Sequence, residues 1–172
     1  MLYGGIQDWQ KVYQEAFNHL ATDGWFEQVE IDFTPRCDDG TLPSDSAFIQ
    51  WANELTSAMN DIKRPLMIDW SETKAMMTTT GFVDIRHETI QANYNSWGNG
   101  RNEDTAGRWL CAGMTEALQG LTLAPLTRER KWPHERVNEL VSLVQRQIRN
   151  QKYHCYCVVY VRKPPLAPKD SI

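Results

Sequence analysis

Stretches of helical and strand-like hydrophobic spacing alternate along the chain. From Asp8 to Leu20 apolar residues recur at helical intervals, and Asp8 is placed to cap the first turn. The same spacing predicts four later helices. The first is capped by Ser44 and has Phe48, Trp51, Leu55 and Met59 on its apolar face, and the second runs from Asp69 through Thr79 with Gly81 as its C-terminal cap. The third covers 104–119, and the fourth is a long helix with Pro133 in its first turn.

Three segments between these helices have the character of strands. Trp25 to Phe33 alternates imperfectly, with an irregularity expected near Gln28, and Phe82 to Ile90 reads as a second strand. Tyr153 to Val161 is apolar on both faces, which predicts a strand inside a sheet that is covered on both sides. The order of elements predicts a single α/β domain over 1–163, followed by a Pro-rich tail over 164–172.

Composition excludes several classes of function. The 172 residues carry a net charge of −4, and Lys and Arg are scattered among acids, so no nucleic-acid partner is expected. No apolar run approaches the roughly 20 residues of a membrane span, and we expect a cytoplasmic protein without membrane association. Four cysteines form no disulfide framework; Cys155 and Cys157 share a strand face, but no second pair completes a zinc site, so no metal is expected.

Sequence motifs in a fixed order suggest a family. Gly5 to Trp9 and Ala21 to Glu27 flank the first helix, Asp39 to Pro43 precedes the helix with Trp51, and Gly81 to Ile85 leads toward a strand. Together these motifs resemble the LaeA-like branch of class I S-adenosylmethionine-dependent methyltransferases, a family of fungal secondary metabolism. The chain departs from the family pattern at 22–23, where Thr-Asp replaces the usual Pro-Gly.

This resemblance implies a truncated Rossmann-like class I methyltransferase fold, with a small mixed sheet flanked by helices. Residues 1–6 would correspond to the end of the family's fourth strand and 25–33 to its fifth. The family's first three strands, with the Gly-rich turn and the ribose-binding acid, have no counterpart. The turn at 98–100 has Glu103 where a third glycine is expected. No cofactor is therefore expected, and S-adenosylmethionine would bind only if another chain completed its site.

Three polar residues are candidates for catalysis. Glu30 and Asp32 sit near the carboxyl end of the first strand, where open α/β sheets bind ligands, although the same residues could simply face solvent. His87 could remove a proton from a substrate, as methyltransferases often require, or could be a structural or exposed histidine.

Four aromatic residues are candidates for binding a substrate. Tyr3, Trp9, Trp97 and Trp109 could wall a pocket for a flat or hydrophobic small-molecule metabolite. Ordinary core packing is the alternative for Trp9 and Trp109. We expect the pocket near Tyr3 and Trp9, because these two flank the segment that would meet the reacting methyl group in a complete relative.

Three hypotheses about function follow. The first is a tailoring enzyme of fungal secondary-metabolite biosynthesis that acts as a cyclase or isomerase without S-adenosylmethionine. The second is a small-molecule methyltransferase, present here as a fragment or with a site completed by a dimer. The third is a non-catalytic module that pairs with another chain, or with itself as a homodimer, through an exposed sheet edge.

Overall fold

The structure, a computed structural model, describes residues 4–67, 69–98 and 100–162. Five helices and three strands lie within these ranges. In chain order they are α1 (Trp9–His19), β1 (Gln28–Arg36), α2 (Ala47–Asp61), α3 (Trp70–Thr80), β2 (Glu88–Asn93), α4 (Arg101–Arg128), α5 (His134–Arg149) and β3 (Tyr156–Arg162). Tyr3 and the tail at 164–172 lie outside the described residues, and the division into domain and tail stays a prediction.

The three strands form one sheet in the order β1-β3-β2. Both pairings with β3 are antiparallel, so the expectation of a mixed sheet is wrong for the described strands. β3 occupies the centre, as its two apolar faces predicted. Because β1 and β2 run in the same direction, their carboxyl ends meet the start of β3 at a single edge of the sheet.

The main core lies between one face of the sheet and helices α2, α4 and α5. Its fully buried side chains include Phe48, Trp51, Leu118, Val144 and Cys157. The Trp51 indole donates a 2.7 Å hydrogen bond to the Thr122 hydroxyl, which satisfies the only polar atom of the indole inside the core. This core holds α2 and α4 together behind the sheet.

A second, smaller cluster joins α1 to α3. Trp9, Tyr13 and Met77 are buried there. Phe82 packs edge-on against Phe17, with ring centroids 5.1 Å apart. This aromatic packing draws the segment after α3 away from the sheet, which explains why β2 begins at Glu88 and not at the predicted Phe82.

Several predicted helix ends are confirmed. The Asp8 carboxylate accepts a 2.9 Å hydrogen bond from the Lys11 amide. Asp69 caps α3 by accepting from the Ser71 amide at 2.7 Å, and Gly81 ends the helix with φ +116°, a conformation that favours glycine. The cap of α2 is Ser46 and not Ser44.

Other predicted boundaries are wrong. The irregularity of β1 falls between Asp32 and Arg36 instead of near Gln28. Helix α4 extends well beyond the predicted 104–119, and it continues through Pro125 because Thr122 and Leu126 are buried in the main core. Pro133 precedes α5 as its N-cap instead of forming its first turn. No helix in the described part of the chain has the length and apolar character to cross a membrane.

Candidate functional site

Glu30 and Asp32 lie on the same face of β1, and both are almost completely buried. Asp32 accepts a 2.6 Å hydrogen bond from the Arg36 guanidinium and a 3.0 Å bond from the Thr34 amide. The side-chain amide nitrogen of Gln28 lies 3.5 Å from a carboxylate oxygen of Glu30. Both predicted carboxylates therefore contact groups of their own strand. They lie within the first five of its nine residues, so the expected position near its carboxyl end is wrong, and neither faces solvent.

His87 lies immediately before β2, on the same side of the sheet. Its ring stacks between Trp70, at a centroid distance of 4.4 Å, and Tyr160, at 5.4 Å. Tyr160 is also the partner of Glu30 across the β1–β3 ladder. The structure thus brings Glu30 and His87 next to Tyr160, whereas Asp32 lies one pair further along the ladder, opposite Val158.

The predicted aromatic residues lie in different environments. Trp9 belongs to the buried cluster of α1 and α3. Trp109 is 75% exposed on α4. Trp97 is half-buried beyond the end of β2, where its indole donates a 2.9 Å hydrogen bond to the Cys155 carbonyl. Tyr3 lies outside the described residues, so its place beside the other three stays a prediction.

A histidine–aspartate pair stands at the edge where β1 and β2 end. His154 Nδ1 lies 2.5 Å from Asp39 Oδ2. The His154 ring stacks on Trp97, with centroids 5.0 Å apart and planes inclined by 28°. Both His154 and Asp39 remain partly exposed, in contrast to the buried carboxylates on β1. Sequence reasoning identified Trp97 but missed these two partners.

Backbone and side-chain hydrogen bonds hold this pair in place. The Asp39 Oδ1 atom accepts from the Thr41 amide at 3.1 Å and from the Thr41 hydroxyl at 2.8 Å. The same hydroxyl accepts a 2.9 Å bond from the His154 amide, which ties the loop after β1 to the start of β3. The Tyr156 hydroxyl donates to Asp38 at 2.9 Å. The loop is thereby fixed on both sides of Asp39.

A buried asparagine holds the turn that precedes His154. The side-chain amide of Asn95 donates to the carbonyls of Ile148, Asn150 and Tyr153, at 3.0 to 3.3 Å. These three bonds fix the turn between α5 and β3. A cleft of about 400 Å³ opens at residues 95–96, and its walls include Arg108, Cys111, Thr115, Arg149 and Gln151.

The hydrogen bonds around Asp39 indicate where the proton of the pair lies. Hydrogen bonds from His154 first, and then from Thr41, hold the pKa of Asp39 well below its usual range. An ionised carboxylate can only accept hydrogen bonds, so the proton between the two residues is assigned to His154 Nδ1. In the neutral ring Nε2 then carries a lone pair. This arrangement is typical of a histidine that exchanges protons with a substrate.

Comparison with known proteins places the chain. Secondary metabolism regulator LAE1 of Cochliobolus heterostrophus is 37% identical over 163 residues, which are 94% of this chain and 53% of the relative. A protein named protein-methionine methyltransferase laeA, from Emericella nidulans, is 34% identical over 164 residues, 94% of this chain and 44% of the relative. This chain is homologous to the C-terminal part of LaeA proteins.

A further relative matches over nearly the same extent of the chain. The LaeA regulator of Fusarium oxysporum f. sp. lycopersici is 37% identical over 170 residues, 95% of this chain and 54% of the relative. No protein-family model matches the chain. The chain spans about half the length of the curated LaeA relatives it matches. The activity and partners of whole LaeA proteins are therefore not carried over directly.

The glycine-rich segment after β2 does not fit the Gly-rich turn of the S-adenosylmethionine site that the methyltransferase resemblance implies. In such folds a Gly-rich turn after the first strand approaches the ligand closely. The glycine-rich segment of this LaeA-like chain follows β2, and the space over Gly98 and Gly100 is taken by the Glu103 side chain, which lies within 3.3 Å of where either glycine's Cβ would be.

Proposed function

We propose that this LaeA-like chain catalyses proton transfer within a small metabolite of fungal secondary metabolism, as an isomerase or cyclase and without S-adenosylmethionine. The observation that carries the proposal is the 2.5 Å contact between His154 Nδ1 and Asp39. It leaves Nε2 as the basic nitrogen of a ring that is partly exposed. The homology to regulators of secondary metabolism supports the biological setting.

In this mechanism His154 serves first as base and then as acid. Nε2 accepts a proton from an acidic C–H or O–H group of the substrate, and the electron pair that remains moves into a new double bond or attacks a second atom to close a ring. The Asp39 carboxylate accepts the hydrogen bond from Nδ1–H and stabilises the imidazolium that forms. The Nε2 proton of the partly exposed ring exchanges with solvent, and the ring then delivers a proton to another atom of the same molecule, so the product is an isomer of the substrate.

Trp97 supports this reaction in two ways. Its indole stacks on the His154 ring, and its N–H is anchored on the Cys155 carbonyl. The stacking limits rotation of the imidazole about its side-chain bonds. A flat apolar surface beside the base also favours a flat or hydrophobic metabolite, as the aromatic content of the sequence suggested.

The test uses the purified chain and a metabolite extract from a source strain that lacks the gene, incubated in D₂O without S-adenosylmethionine. We expect one compound to be converted to an isomer that carries deuterium at a new carbon position. His154→Gln should abolish this conversion. His19→Gln is the matched control, because His19 is an exposed histidine on α1 that contacts only the nearby Glu15. Conversion that survives in His154→Gln would overturn the proposal.

Methyl transfer is the second candidate, because some of the relatives are named protein-methionine methyltransferases. It would require a cofactor site supplied by a longer form of this protein or completed by another chain. Calorimetric titration of the purified chain with S-adenosylmethionine, after light scattering has fixed its oligomeric state, separates the two candidates. Micromolar binding by a dimer would favour methyl transfer, whereas no heat of binding together with isomer formation would favour proton transfer.

A further inference from the structure

Two thiols meet beside the histidine–aspartate pair, and neither has a part in the proposed reaction. Cys37 follows β1 directly, and Cys155 precedes β3. Both are free thiols. Arg36 pairs with Tyr156 at the end of the antiparallel β1–β3 ladder, so the next step of the register places Cys37 opposite Cys155. Thr41 connects the two segments, because its hydroxyl lies 3.3 Å from Cys37 Sγ and 2.9 Å from the His154 amide nitrogen.

The two thiols differ in access and environment. Cys155 is almost completely buried, and burial, reinforced by the neighbouring Cys37, raises its pKa to about 12. Cys37 is only partly buried, and its sulfur lies 3.3 Å from the Leu42 amide nitrogen. A partly exposed thiol opposite a buried one matches an attacking and a resolving cysteine.

We propose that Cys37 and Cys155 form a reversible disulfide by exchange with a small disulfide such as oxidised glutathione. The Cys37 thiolate attacks one sulfur of glutathione disulfide, forms a mixed disulfide and releases one glutathione thiolate, which takes up the Cys37 proton. The Cys155 sulfur then attacks Cys37 Sγ, and its proton leaves with the second glutathione. Two protein thiols and one glutathione disulfide thus give one protein disulfide and two glutathione thiols.

This modification would alter the neighbouring site. In the reduced chain the Cys37 thiol donates a 3.2 Å hydrogen bond to Asp39 Oδ1. A disulfide removes that donor and links the loop after β1 covalently to the start of β3. The inference does not rest on the proposed proton transfer, because it concerns the thiols whether or not His154 acts on a substrate.

The test is mass spectrometry of the full chain after equilibration in buffers of reduced and oxidised glutathione. We expect the intact mass to fall by two hydrogen atoms as the buffer becomes more oxidising, with one peptide link between Cys37 and Cys155. Cys155→Ser should stop at a stable glutathione adduct on Cys37. Cys111→Ser is the matched control, since Cys111 is a partly buried thiol on α4, and it should behave as the wild type does.

Two results would overturn the inference. One is a glutathione adduct that persists on Cys37 in the wild-type chain; the other is a link that joins a different pair, such as Cys155 and Cys157. The wild-type peptide map decides between these results and the expected one even if a serine variant does not fold. As a second readout, closing so long a loop should raise the thermal midpoint by roughly 5–10 °C on oxidation.

Discussion

Two carboxylates of the same segment form short contacts with a basic partner, but in opposite surroundings. Asp32 on β1 meets Arg36 at 2.6 Å with its side chain only 4% exposed. Asp39, in the loop that follows, meets His154 at 2.5 Å with its side chain 47% exposed. Two pairs of similar length thus differ in exposure: the buried pair of Asp32 and Arg36 can only stabilise the fold, whereas the exposed pair of Asp39 and His154 can also contact a substrate.

The identity of the basic partner strengthens this contrast. Arg36 keeps its proton, because its contacts with Tyr160 and Asp32 outweigh partial burial and raise its pKa further. A guanidinium of this kind cannot exchange protons with a substrate. The partner of Asp39 is instead an imidazole, whose two ring nitrogens allow it to accept a proton at one and hold a proton at the other. We therefore assign acid–base chemistry to the exposed pair and a structural role to the buried one.

The largest effect is expected for turnover when the exposed pair is broken. His154→Gln should lower the rate of isomer formation by about 10²–10⁴-fold, because a general base is lost. Its thermal midpoint should stay close to that of the wild type, since the ring is partly exposed. A variant that loses stability in proportion to its activity would assign His154 the same structural role as Arg36.

A second prediction concerns the scaffold of the exposed site. A Cβ atom at Gly107 of α4 would lie 2.3 Å from the Asn95 carbonyl oxygen, and Asn95 holds the turn that leads to His154. Gly107→Ala should therefore lower the free energy of unfolding by about 1–3 kcal/mol. Gly113 lies in the same helix and has open space around it, so Gly113→Ala should raise the free energy of unfolding by about 0.5–1 kcal/mol. Urea unfolding of both variants measures the difference, and equal effects would refute the close approach.

A third prediction concerns the buried pair. Arg36→Ala leaves the Asp32 carboxylate buried with only the Thr34 amide remaining among its two hydrogen-bond donors. The free energy of unfolding should fall by about 1–2 kcal/mol, less than for a fully buried pair because Arg36 is itself partly exposed. Arg108→Ala removes the exposed ion pair with Asp104 and should change the free energy of unfolding by less than about 0.5 kcal/mol. A loss no greater than that of Arg108→Ala would contradict the structural role.

The smallest effect is expected in the dependence of stability on pH. The pKa of Asp39 is lowered in the folded chain, so its ionised form stabilises the fold above the ordinary pKa of an aspartate, near 3.9. That contribution should be lost as the pH falls below about 4 toward the folded pKa. In Asp39→Asn this part of the acid dependence should disappear, as measured by urea midpoints between pH 6 and 3. If the urea midpoint of Asp39→Asn falls with pH as steeply as that of the wild type, the pairing of Asp39 with His154 would be contradicted.

Local patterns predicted the helices and the central strand well. Capping by Asp8, Asp69 and Gly81 depends on neighbours within a few residues, so it can be read from the sequence. The two apolar faces of β3 likewise indicated its central place in the sheet. The start of β2 could not be read in this way, because it depends on the packing of Phe82 against Phe17 and Phe26, which come much earlier in the chain.

The same limit applies to the candidate site. Trp97 was identified from its residue type, but Asp39 and His154 are 115 residues apart and meet only because β1 pairs with β3. A local signal existed in the Asp-Asp-Gly turn at the carboxyl end of β1, where ligands of open sheets gather. Its histidine partner could be found only from the order and direction of the strands.

The most direct test of the central claim is the tautomer of His154, observed in a ¹H–¹⁵N correlation spectrum of the imidazole nitrogens at a pH where the ring is neutral. The account predicts a proton on Nδ1 and a lone pair on Nε2, with this preference lost in Asp39→Asn. A neutral ring that carries its proton on Nε2 in the wild-type chain would contradict the claim that Asp39 orients His154 as a base.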